Sequence, residues 1–270
     1  MRLSIMIVNK PGYFITEDGD TMNKQSVYET NSLYWDTKGN EVLHAIVLPL
    51  YGSFVSEEKH RLFGDVSGKK LLEIGCGNGR SLQYQGERNA AELWGMDLSR
   101  NQLEKTRQHL AACGLSATLV CSPMEEECGI PEHYFDIVYS VYAIGWTTDL
   151  EGTFRRIASY LKQDGVFIFS WSHPIHRCVT ADRETYAFKK SYFDESWYPV
   201  FPDPSKADVL TLSDRKLSTY VNALAKAGFV IEQLIEETDP EILQRWDPDS
   251  DFAKRAALFP VTFVIKARKR

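Results

Sequence analysis

From about residue 68 onward, apolar and polar positions alternate in a regular way. The runs KKLLEI, ELWGMDLS, ATLVC, FDIVYS and GVFIFSW predict five strands. Amphipathic stretches separate several of them. NQLEKTRQHLAACG predicts a helix with Ser99 as N-cap and Gly114 as its stop. DLEGTFRRIASYLK predicts another, with Leu150, Phe154, Ile157 and Leu161 on one face. DRKLSTYVNALAKAG predicts a third, with Asp214 near its start and Gly228 after its end. FVIEQLIEE and PVTFVIKAR add two strands with no helix of ordinary length between them. The expectation is an α/β fold: a doubly wound, mostly parallel sheet of seven strands whose last strand is antiparallel.

Two regions fall outside this rhythm. Residues 1 to 66 are expected to form an N-terminal helical or cap segment, with TNSLYWD and a helical stretch from Val55 to Phe63. Residues 67 to 270 then make the core. An insertion over about residues 172 to 212 carries Tyr186, Phe188, Tyr192, Phe193, Trp197, Tyr198 and Phe201. A loop that long in a compact domain suggests a lid over an apolar or aromatic molecule.

Composition narrows the class. Of 270 residues, 43% are hydrophobic and 25% charged, as in an ordinary globular protein. The net charge of -6 argues against a nucleic-acid or anionic-membrane binder, which needs a basic face. Five cysteines without a CxxC pair read as reduced thiols, so a cytoplasmic protein is expected. The early run LSIMIV is too short for a signal sequence, and no run approaches membrane-spanning length.

The chemistry concentrates in LLEIGCGNGR, residues 71 to 80. A strand running into Gly75, Gly77 and Gly79 brings backbone close to a nucleotide-like ligand. The pyrophosphate fingerprint GxGxxG needs a third glycine where Arg80 stands, and no GK[ST] follows for a triphosphate loop. Glu73, two residues before the first glycine, would repel a phosphate and suits a cation. S-adenosylmethionine (SAM) has an ammonium and a sulfonium, no phosphate, and a carboxylate that backbone N–H groups at a helix start can hold. Asp97, at the end of the second strand, can accept from both ribose hydroxyls.

These motifs resemble the class I SAM-dependent methyltransferases. LLEIGCGNGR is similar to that superfamily's motif I, MDLS to its acidic loop, FDIVYS to its fourth strand, and LKQDGVFIFS, with Asp164 and Gly165 in the turn, to its fifth. The resemblance spans about residues 33 to 268 and is nearest to the small-molecule, quinone-biosynthesis type. It implies a Rossmann-like fold, SAM as cofactor and S-adenosylhomocysteine as product. It also implies roles at matching positions. Glu73, Gly75, Cys76, Gly77, Asn78 and Gly79 would hold the methionine end, and Asp97 and Leu98 the ribose and adenine. Ser122, Pro123 and Met124 fall where adenine is contacted, although many relatives have an aspartate there. Ser140 and Tyr142 would border the sulfonium, and Tyr34 or Trp35 would cover the cofactor.

Methyl transfer mainly requires alignment of nucleophile, methyl and sulfur. A base, if one is used, would be His173, at the carboxyl edge of the sheet, or Tyr142. The cluster His173, His176 and Cys178 lacks the spacing of a zinc site, and Pro174 interrupts it, so no metal is expected. The expected partner is a small-molecule acceptor, with neither nucleic acid nor membrane. A tRNA-modifying methyltransferase and a SAM-binding protein without methyl transfer stand as alternatives. Oligomeric state is left open, a homodimer included.

Overall fold

In the computed structural model, which describes residues 13–15, 21–42, 47–182, 185–200 and 209–270, the predicted strands assemble into one seven-stranded sheet. Helix α1 spans Lys24–Val42 and precedes it. The core then runs β1 Lys70–Ile74, α2 Arg80–Gly86, β2 Glu92–Asp97, α3 Arg100–Ala112, β3 Thr118–Cys121, β4 Phe135–Val141, α4 Leu150–Tyr160, β5 Leu161–Ser172, α5 Leu217–Lys226, β6 Phe229–Ile235, α6 Asp251–Leu258 and β7 Thr262–Lys269. Across the sheet the order is β6-β7-β5-β4-β1-β2-β3. β7 is antiparallel to both its neighbours, and every other pairing is parallel. The last strand is therefore inserted, reversed, between β5 and β6.

Strand alternation sends successive side chains to opposite faces. Leu72 and Ile74 of β1 join the core formed with Phe154 and Ile157 of α4 and Leu224 of α5. Leu71 joins Leu82 of α2 with Leu103 and Leu110 of α3 in the other layer. Helices thus cover both faces of the sheet.

Local signals explain most boundaries. Ser99 caps α3, its Oγ accepting from Gln102 N at 3.1 Å. The α4 stretch ends at Tyr160, and Leu161 belongs to β5, opposite Phe135 of β4. Within β5, Asp164 takes φ +61°, so the predicted turn survives as a kink inside a longer strand. Asp is among the few non-glycine residues that tolerate this region. α5 starts at Leu217, because Asp214 instead accepts from Tyr198 Oη at 2.5 Å.

Three elements differ from expectation. The stretch Val55–Phe63 forms only the short helix Glu57–His60, which ends where Arg61 turns left-handed at φ +49°. An eight-residue helix, α6, fills the gap between β6 and β7, capped by Ser250. α1 extends far beyond TNSLYWD at both ends; its start is marked by Asn23, whose Oδ1 accepts from Ser26 N at 2.7 Å. The insertion after β5 contains the helix Pro174–Cys178, the hairpin Val179–Asp182 with Thr185–Phe188, and the pair Trp197–Val200 with Leu210–Ser213. Phe201 and LSIMIV lie outside the described residues.

Candidate active site

A cleft with a cavity volume of about 100 Å³ opens at the carboxyl edge of the sheet. Its floor is the turn after β1. Gly75 and Gly77 have φ +72° and +51°, and Gly75 N and Cys76 N donate to Met96 O of β2 at 2.8 and 2.9 Å. A Cβ on Gly75 would lie 2.2 Å from the Ala143 Cβ, so this turn is closed to side chains. Gly79, at φ +79°, packs on Thr106 of α3, whose Oγ1 donates to Gly77 O at 2.6 Å. Gly79 thus provides the tight packing onto a helix that a glycine at position 80 would supply in the dinucleotide fingerprint.

Of the residues singled out from the sequence, Trp35, Gly75, Gly77, Asp97, Leu98, Ser122, Pro123, Met124 and Tyr142 line this cleft. The others lie beneath or beside it. Glu73 is buried on the α2/α3 face of β1 and accepts from Tyr139 Oη at 3.3 Å. The Cys76 side chain is in the core below. Asn78 Oδ1 accepts from Arg80 N, and Ser140 Oγ donates to Ile74 O at 2.9 Å. Tyr34 is buried, edge-on to Trp35 with ring centres 5.2 Å apart.

Charge in the cleft is one-sided. Among the described residues, Asp97 and Glu125 are the charged groups that line it. Burial raises the Asp97 carboxyl above the usual range, opposed by backbone N–H groups of Ser99 and Gly77. Those bonds are Ser99 N to Oδ1 and Gly77 N to Oδ2, both 2.9 Å. Burial raises Glu73 further, opposed by the Tyr139 hydroxyl and increased by the charge of Asp97. Two carboxyls pushed up in this way favour a cationic ligand, which lets both ionise.

Of the cleft roof only Trp35 was anticipated from the sequence, as a residue covering the cofactor. Tyr28, Asn31 and Trp35 project from one face of α1, at i, i+3 and i+7. Tyr28 Oη bonds Thr148 Oγ1 at 2.9 Å, and Thr148 Oγ1 and N donate in turn to Glu125. Asn31 makes a pair of hydrogen bonds to the insertion: its Nδ2 donates to Thr211 O at 3.1 Å and its Oδ1 accepts from Thr211 N at 2.9 Å. Met96, Gln102, Glu125, Val141, Ala143 and Trp146 complete the lining. The helical spacing of Tyr28 and Asn31 with Trp35 is the signal that could have found the rest of the roof.

Rings continue behind the wall. Trp35 meets Trp146 edge-on at 5.6 Å, Trp146 meets Trp171 at 5.4 Å, and Trp171 meets Tyr142 at 5.5 Å. A Cβ on Gly145 would fall 1.8 Å from Trp171, so glycine there admits the indole. Tyr142 holds φ +55°, a strained backbone for a bulky residue. Its hydroxyl bonds Thr262 Oγ1 at 3.2 Å, and burial raises its phenol, keeping the proton on oxygen. His173 is not in the cleft lining. Its Nδ1 accepts from Ile175 N at 3.2 Å, which fixes the proton on Nε2, 2.7 Å from Glu236 Oε1. Burial lowers this imidazole, with Glu236 opposing. Both nitrogens are therefore engaged in holding the Pro174–Cys178 helix and the β6 end.

The insertion aromatics also point elsewhere. None of the six described rings lines the cleft; Phe188 and Phe193 are exposed, and Trp197 is buried against the Arg215 guanidinium. Among the described residues there is no group of three metal-ligating side chains, and no helix long and apolar enough to cross a membrane.

The turn, the acid after β2 and the strand order agree with what known proteins show. Residues 72–169 match the model of a methyltransferase domain. A solved SAM-dependent methyltransferase from Mesorhizobium loti superposes with a TM-score of 0.65 at 25% identity, over 78% of this chain and 95% of that one. Residues 72–169 are a methyltransferase domain, consistent with a class I SAM-dependent methyltransferase. A Haemophilus influenzae protein described as uncharacterized is 29% identical over 264 residues, 92% of this methyltransferase and 98% of that protein. The ubiquinone biosynthesis O-methyltransferase of Vibrio cholerae is 28% identical over 156 residues, 57% of this chain and 61% of that enzyme. SAM is the cofactor. The cleft fits it: the Gly75–Gly77 backbone is open to a ligand, the charges are carboxylates, and a buried amide oxygen of Gln102 lacks a partner.

Proposed function

We propose that this methyltransferase transfers the methyl group to an oxygen, nitrogen or carbon of a small molecule that is apolar or aromatic and carries no negative charge. One observation supports this above the rest: beyond the glycine turn the cleft is walled by Tyr28, Trp35, Tyr142 and Trp146, and its charges are acidic. Such walls favour rings and cations and disfavour carboxylates and phosphates. Similarity to ubiquinone O-methyltransferases agrees with an aromatic acceptor. The net charge of -6 disfavours tRNA.

Bound SAM supplies a methyl on a positively charged sulfur, already activated for displacement. The protein's part is orientation, which contributes on the order of 7–11 kcal/mol in well-aligned systems. Asp97 holds the hydroxyl-bearing donor, Glu73 adds negative charge beneath the turn, and Gly75 and Gly77 let the donor sit on the backbone. Tyr142 keeps its proton and orients the acceptor as a donor. His173 acts as a structural cap. The acceptor therefore brings a nucleophile that needs no protein base, such as a neutral amine, or a phenol or enol whose proton passes to water as the methyl is transferred.

The test is transfer of radiolabelled methyl from SAM to a panel of phenols, catechols, aromatic amines and bulk tRNA. Label in a neutral aromatic acceptor supports the proposal. Label in tRNA alone, or only in acceptors bearing a carboxylate or phosphate, rejects it.

A further inference from the structure

Trp146 lines the cleft and ends the 3₁₀ turn Ile144–Trp146. Its ring stands between Trp35 of the roof and Trp171 behind the wall. The backbone on either side of it is held by one side chain, 70 residues away in sequence from Gly145. Arg215 Nη1 donates to Gly145 O at 3.2 Å, and Nη2 donates to Thr147 O at 2.5 Å. Arg215 is 9% exposed, and none of its hydrogen bonds among the described residues goes to a carboxylate. Taking a guanidinium out of water without a counter-charge is costly. A neutral donor would serve a lone carbonyl at lower cost. What only the planar fork supplies is a rigid bridge between two carbonyls at once.

The insertion delivers this fork on a pinned backbone. Before Arg215, Asp214 accepts from Tyr198 Oη at 2.5 Å and from Lys190 Nζ at 3.4 Å. After it, Lys216 donates to Glu195 through its N at 2.8 Å and its Nζ at 2.7 Å. The Trp197 ring faces the guanidinium, its centre 5.4 Å away. Earlier on the same stretch, Thr211 holds Asn31 of the roof. One short piece of the insertion therefore fastens both α1 and the backbone around Trp146. We infer that Arg215 is a specificity-determining positioning residue: by clamping the carbonyls around Trp146 it sets how far the indole projects into the cleft, and so the size of the aromatic acceptor admitted. The insertion shapes the acceptor site from behind, through Trp146, without lining it.

The inference rests on the reading that the acceptor lies against Trp146, so one of its two readouts needs no acceptor. The tryptophans are replaced by fluorotryptophan, and fluorine spectra are compared for the wild type, Arg215→Lys and Arg215→Met. The Trp146 signal is assigned from Trp146→Phe. Lysine keeps the charge but cannot bridge both carbonyls in one plane. In both variants the Trp146 signal should shift or broaden beside an unchanged signal from Trp94, which packs on Tyr134 and Phe135. The dissociation constant for S-adenosylhomocysteine should stay within about twofold of wild type. An unmoved Trp146 signal overturns the clamp. Selectivity is read with radiolabelled SAM as the ratio of kcat/KM for a two-ring acceptor to that for its one-ring counterpart, naphthol against phenol or naphthylamine against aniline. The ratio should rise at least about fivefold in both variants, even where Arg215→Lys keeps most of the thermal stability. A constant ratio, with rates and melting temperature falling together, means a purely structural role and overturns the inference. Label in none of the four compounds overturns the proposed acceptor class and the selectivity role with it; the fluorine signal tells that failure from failure of the clamp.

Discussion

The floor and the roof of the cleft are built in opposite ways. The floor, from Glu73 to Gly79 and on to Asp97, is backbone: left-handed glycines, main-chain bonds between adjacent parallel strands, and one carboxylate holding two N–H groups. The roof is side chains reaching across long sequence separations. Asn31 meets Thr211, Tyr28 meets Thr148, and Asp36 meets Ser99. A backbone floor suits an invariant ligand. A roof fastened by a few side chains can change with the molecule it admits. Changes in the floor should therefore cost cofactor affinity, and changes in the roof should cost acceptor selection.

The sharpest way to break this division is Gly75→Val. Left-handed strain of roughly 1–2 kcal/mol adds to the clash with Ala143, and S-adenosylhomocysteine affinity should fall more than about 100-fold with the far-ultraviolet spectrum retained. Affinity within about threefold of wild type, by calorimetry, would mean the turn is not the cofactor floor. Asp97→Asn comes next. It leaves one acceptor oxygen for Gly77 N and Ser99 N, costing roughly 1–3 kcal/mol of stability and about tenfold or more in cofactor affinity.

Asn31→Ala probes the roof. It leaves Thr211 N and O unpaired and should destabilise by roughly 1–3 kcal/mol. The acceptor KM should rise while the S-adenosylhomocysteine constant stays within about threefold; the reverse pattern would put Asn31 in the cofactor floor. Glu73→Gln separates binding from folding. The folded carboxyl is raised, so between the ordinary glutamate range and its folded value the native state holds more protons than the unfolded one, and stability declines as pH rises. The amide of the variant has no such slope, so its denaturation midpoint should gain on wild type from acid toward neutral pH even as it loses SAM affinity. A gain that grows toward acid would contradict the raised carboxyl. The smallest effects are expected for His173→Ala and Tyr142→Phe, each within about fivefold of wild-type turnover. Loss of a working general base costs on the order of 10² to 10⁴, so a fall of that size in either variant would restore the base role.

The sheet and the floor were legible because their signals are local. Apolar runs of strand length, glycines at alternate positions and an acid at a strand end need no knowledge of distant partners. α1 was not, since its inward face mixes Val27 and Tyr34 with Tyr28 and Asn31, leaving no clean apolar stripe. α6 escaped notice because it is two turns long and charged. His173 was placed at the right edge of the sheet, but no sequence signal reports that its ring turns toward Glu236. The insertion's composition does not report its contacts: among the described residues its aromatics pack on Arg215, Phe259 and Asp214, while the Thr211 backbone hydrogen-bonds the roof.

The reversed β7 also sets the order in which the molecule can be completed. β6 joins the sheet only through β7, and β5 has β7 as its outer neighbour. Roughly 90 residues separate the end of β5 from the start of β7, so at about 5–20 residues per second the β5 edge stays open for several seconds of synthesis. During that time the row Phe167, Phe169 and Trp171 lacks its cover by Phe263 and Ile265. The nascent chain carries an assembled cofactor floor beside an uncapped strand, the interval in which it is most exposed to pairing with a second copy of itself.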